Sequence, residues 1–144
     1  MTAAVSAICS AILLLAAGFH IYWGFGGRMA AGVALPQRQD GSPVIENAAF
    51  GAIAVGLIMT LLFLLVLART GVVRLPVPQA WLTAGIALWA IVFTVRALSW
   101  SRYVGLFKQV RTTRFARYDT LLYSPLCLVL GLGFFYLALA DSAP

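Results

Sequence analysis

The chain has 144 residues, 62% of them hydrophobic and 10% charged, with a mean hydropathy of +0.97. A soluble domain of this length carries about a quarter charged residues to face water, so most of this exterior has to face lipid. Soluble enzymes, nucleic-acid-binding domains and disordered tails are excluded on that ground, and the net charge of +6 calls for an explanation by placement rather than by nucleic acid.

Crossing a hydrocarbon core of about 30 Å takes about 20 helical residues with few or no charges. Four such windows follow in chain order, Ala3 to Phe25, Ala48 to Ala68, Leu75 to Val95 and Thr120 to Ala140. Runs such as Leu61 to Leu67 and Ile86 to Val92 do not alternate in polarity, which argues against a β-barrel. The predicted fold is all-α, a single domain over 1–144 forming an integral membrane four-helix bundle. The first span has no positive charge before Arg28, so it reads as a retained helix rather than a cleaved secretory signal.

The connections are informative. Leu35-Pro36, Asp40-Gly41 and Ser42-Pro43 mark turns in the first, whereas Gly71, Pro76 and Pro78 make the second short and its flanking helices antiparallel neighbours. In the third, Tyr103, Val104, Phe107 and Val110 recur at helical spacing with Arg102 and Lys108 off that face, which predicts a short interfacial helix over Trp100 to Val110. Ser124-Pro125 gives two readings of the last span. Either a helix starts there with Ser124 as its cap, or one that starts near Asp119 kinks at Pro125.

Orientation follows from the basic residues. Arg28, Arg38, Arg96, Arg102, Lys108, Arg111, Arg114 and Arg117 belong to the first and third connections, against Arg69 and Arg74 on the other side. Cytoplasmic loops retain Lys and Arg, so these two connections are expected in the cytoplasm and both termini outside, in a bacterial inner membrane. The excess charge then serves topology and attraction to anionic lipid.

Several residues suggest a family. Gly18 to Arg28 (GFHIYWGFGGR), Ala34-Leu35-Pro36, Arg114-Phe115, Asp119-Thr120 and Tyr123 to Leu128 (YSPLCL) together resemble a family of small bacterial membrane proteins known only as a domain of unknown function 3995. The resemblance spans nearly the whole chain, although the second and third helices contribute little to it. It implies a four-helix membrane protein and no catalytic activity.

With the topology assigned, one membrane face collects the polar residues. His20, Tyr22 and Trp23 lie at the end of the first span, Glu46 at the start of the second, Arg96 and Trp100 at the end of the third, and Arg114, Arg117, Asp119, Tyr123 and Ser124 at the start of the fourth. Charge in lipid is costly and is met by pairing or by a wet cavity, so Asp119 is expected to compensate Arg96, Arg114 or Arg117, and Glu46 some arginine within reach. Three readings stay open: interfacial anchors with structural ion pairs, a cytoplasm-facing pocket for an anionic headgroup or small molecule, or an interface with a second copy or a partner membrane protein. The catalytic alternative is an enzyme acting on a lipid-soluble substrate, with His20 as acid or base and Asp119 or Glu46 as its partner. One histidine and two separated cysteines offer no ligand spacing, so neither metal nor cofactor is expected, and the partners are membrane lipids with no nucleic acid. Cys9 and Cys127 sit about 10 Å deep from opposite faces, too far apart for a disulfide.

Overall fold

The structure, a computed structural model, describes residues 1–140. Its regular elements among these residues are all helical: α1 (Thr2–Gly24), α2 (Ala31–Ala34), α3 (Ala49–Arg69), α4 (Gln79–Leu98), α5 (Arg114–Tyr118), a π-helical turn (Asp119–Tyr123) and α6 (Ser124–Leu139). The segments α1, α3, α4 and the continuous run Arg114–Leu139 are each long and apolar enough to cross a membrane.

Glycine ends two of these helices by the same device. Past α1, Gly26 takes φ +86°, which lets the Gly27 N–H reach the Tyr22 carbonyl and the Gly26 N–H that of Trp23. Past α3, Gly71 takes φ +75°, with Val72 bonded to Leu67 and Gly71 to Ala68. Both are left-handed glycine caps that satisfy the last carbonyls of an apolar helix. By contrast, α4 starts at Gln79 rather than Leu75, because Pro76 and Pro78 cannot supply helical N–H donors. It runs on through Arg96 to Leu98, since that arginine finds a partner and does not end the helix.

Packing is pairwise. The helix α1 lies along α3 and α4 along α6, with lighter contact between α1 and α6 and between α3 and α4, so the short second connection joins neighbours that touch only lightly. Small residues allow the close approach: Gly56 sits against Ala17 and Ile21, and Gly131 against Ala90 and Thr94, with no room for a Cβ at either. One core unites the pairs. Cys9 and Leu13 of α1, Leu62 and Val66 of α3, Ile86, Ala90 and Phe93 of α4, and Leu130, Phe134 and Leu137 of α6 are all buried in it. Phe93 meets Phe134 edge to face with ring centroids 5.6 Å apart. Outside, Phe50, Leu61, Leu132 and Leu139 stand exposed, as expected of an exterior solvated by acyl chains.

One expectation needs correction, and of the two readings of the last span the structure keeps the helix that starts before Pro125. Trp100 to Val110 is not a helix; it is a compact loop, and the helical residues of the third connection are Arg114–Tyr118. The apolar spacing is overridden because Gly105 takes φ +96° and Lys108, which that spacing puts off the apolar face, is buried. Nor does Ser124 cap a helix start. It has helical dihedrals within the run that begins at Arg114, where the Thr113 hydroxyl accepts the cap bond from the Ala116 N–H at 3.1 Å. The Asp119–Tyr123 π-turn precedes Pro125. The Ser124 N–H bonds to the Asp119 carbonyl five residues back, a local widening that accommodates proline inside a long helix.

Candidate functional site

The first and third connections meet at one end of the molecule. The Phe115 N–H donates to Gln37 Oε1 at 3.2 Å, and the Tyr123 hydroxyl donates to the Val33 carbonyl at 3.2 Å, which ties α2 and its following turn to the entry of the last helix. That turn is closed by the Gln37–Pro43 bridge and by Asp40, whose Oδ1 accepts from both N–H and hydroxyl of Ser42.

At the centre of this end is Asp119, fully buried at the α5–π junction. Its Oδ1 accepts from Arg96 Nη2 at 2.7 Å; its Oδ2 accepts from Lys108 Nζ at 3.0 Å and from the Gly105 N–H at 2.9 Å. Lys108 is only 1% exposed. Its three protons are met by Asp119, the Gly105 carbonyl at 3.0 Å and Thr120 Oγ1 at 2.6 Å, and Thr120 in turn donates to the Ala116 carbonyl. A buried cation is tolerable only with an opposite charge and full hydrogen bonding, and both conditions are fulfilled here. The loop closes around this contact: Leu106 N–H bonds to Ala97, Gln109 to Ser101 and Val110 to Arg102. Gly105 is required twice, by its positive φ and because a Cβ would meet the Ser99 carbonyl.

Of the candidates named from sequence, Arg96 and Asp119 are therefore in contact. Arg114 and Arg117 do not pair with Asp119; both are exposed and line an open groove with Tyr118, Leu121 and Leu122. Glu46 is exposed with no ion-pair partner among the described residues, because the chain reaches α3 only at Ala49 and leaves it in the preceding loop. His20 is half-buried. Its Nδ1 lies 2.8 Å from the Ala16 carbonyl one turn back and its ring meets Trp23 edge-on, and no carboxylate among the described residues is within hydrogen-bonding distance of it. Trp23 Nε1 donates to the Met29 carbonyl at 2.7 Å, and the exposed Tyr22 hydroxyl accepts from the Met29 N–H. These two fasten the first connection rather than face Asp119. Trp100 is 73% exposed and stacks on Phe107 at 5.2 Å, an arrangement suited to an interfacial aromatic anchor. Tyr123 is half-buried against Phe115, and Ser124 is buried with its Oγ unpartnered.

Lys108, Gly105 and Gln37 escaped the sequence reading. The one signal that pointed toward them was the isolation of Asp119, the sole acidic residue between Glu46 and Asp141. Which of six nearby cations would take it depends on a loop path that residue spacing does not encode.

The charge at this end is unbalanced once the buried contacts are removed. Arg28, Arg38, Arg102, Arg111, Arg114 and Arg117 are exposed, against two exposed carboxylates, Asp40 and Glu46. No curated protein and no solved structure matches the chain. The model of a family described as protein of unknown function (DUF3995) matches residues 13–134, from the first long helix to the last, and the chain belongs to that family.

Proposed function

We propose that this is a non-enzymatic, multi-pass protein of the bacterial inner membrane that recognises anionic lipid at its arginine-rich end. In this reading the first and third connections lie in the cytoplasm and both termini outside. The observation that carries it is the division of charge just described. The buried carboxylate is saturated by Arg96, Lys108 and Gly105, and none of the six exposed arginines forms an ion pair with a carboxylate among the described residues, so their charge is open to anionic headgroups at the membrane surface. Acid–base chemistry at His20 draws no comparable support, because its ring bonds to its own helix and not to a carboxylate.

Native mass spectrometry of the protein released from mixed bilayers tests the lipid reading. Selective retention of anionic over zwitterionic lipid is expected, and equal retention overturns it. Orientation is tested separately with reporters in the exposed turns at Gln39 and Val72. The first should report cytoplasm and the second the outside, and the reverse result would invert the topology. Ser142, the other natural fusion point, lies outside the described residues.

A further inference from the structure

We infer that the face formed by Arg114, Arg117, Tyr118, Leu121 and Leu122 is a binding site for one anionic phospholipid, its phosphodiester held between the two guanidinium groups and its acyl chain laid along the two leucines. The inference rests on the proposed lipid recognition and gives it a location.

Four observations converge on it. These five side chains line one groove, in the order arginine, arginine, tyrosine, leucine, leucine along a single helix. That order reproduces the polarity change from headgroup to hydrocarbon. The four-residue step from Arg117 to Leu121 rises about 6 Å, comparable with the interfacial layer of about 5–8 Å on each side of a bilayer core. Second, neither arginine has an internal acid partner among the described residues, although Asp119 is their near neighbour in sequence; that carboxylate is turned inward and fully used. Third, Leu121 is 76% exposed and Leu122 45%, on the stretch where the helix enters the apolar region. Fourth, the surrounding end of the molecule has an excess of exposed arginine, which repels the ammonium of a zwitterionic headgroup and selects one with net negative charge. Arginine suits this role because its planar fork can hold two phosphate oxygens at once.

The experiment uses the full chain in nanodiscs of phosphatidylcholine containing a minor fraction of phosphatidylglycerol, with bound lipid counted by native mass spectrometry. Two double variants are compared, Arg114→Gln with Arg117→Gln, and Arg28→Gln with Arg102→Gln, which removes the same charge from the same end. The first pair should lower retained phosphatidylglycerol roughly thirtyfold and the second by a few-fold at most. Both pairs replace exposed side chains, and unchanged thermal unfolding confirms that folding is intact. Equal losses in the two pairs would overturn the site and leave general anionic attraction standing. No preference for phosphatidylglycerol in the unmodified protein would overturn the proposed function itself. Retaining charge with Arg114→Lys and Arg117→Lys should restore only part of the retention, and full restoration would remove the fork geometry from the argument.

Discussion

Arg117 and Asp119 stand two residues apart on one helix and face opposite worlds. Asp119 points inward, has no exposed surface and accepts three hydrogen bonds that hold the third connection shut. Arg117 points outward, is exposed and has no partner of opposite charge among the described residues. A side chain that satisfies all its groups internally contributes to the fold. One that leaves its charge to the outside is available for recognition, so stability and lipid selectivity should separate cleanly between the two faces.

The largest effect should come from the inward face. Asp119→Ala leaves the Lys108 ammonium buried without an opposite charge, and a loss of about 3–5 kcal/mol is expected, measured by unfolding in detergent micelles. A variant as stable as the unmodified protein would break the comparison. Lys108→Met should cost less, about 2 kcal/mol, because Arg96 and the Gly105 N–H still serve the carboxylate. Combining it with Asp119→Ala should cost well under the sum of the two, since the penalty of a stranded Lys108 ammonium disappears once that residue is methionine.

Gly105→Ala comes next, at about 1–2 kcal/mol, from its positive φ and the collision with Ser99. On the outward face, the Arg114→Gln and Arg117→Gln pair should move stability by no more than about 0.5 kcal/mol while lipid retention collapses. The smallest effect belongs to the first connection. The Ser42 hydroxyl and N–H hold the Asp40 carboxyl below the usual carboxylate range. The contribution of that turn is therefore complete above the ordinary Asp value of about 3.9 and is lost as pH falls through the lowered one. The Ser42 amide resonance should follow that titration, and the transition should vanish in Asp40→Asn.

Much of the architecture was legible from residues alone. A long apolar run has one stable form in lipid, because every backbone polar group must be met within the segment, and Gly71, Pro76 and Pro78 marked the short second connection. The importance of Asp119 was also visible, since an acid beside a membrane span must be compensated. The choice of partners was not. Lys108 and Arg117 look alike in sequence, two cations of one basic connection, yet one is the most deeply buried cation at this end and the other stands in the open. The difference arises where Gly105 turns the loop back under the helix and the π-turn sets the register at which Asp119 faces inward. Both are consequences of contacts between distant segments. Hydrophobicity and backbone satisfaction, being local, determined the four spans; charge pairing acts through space, and only the tertiary structure decided which arginines remain free for a partner.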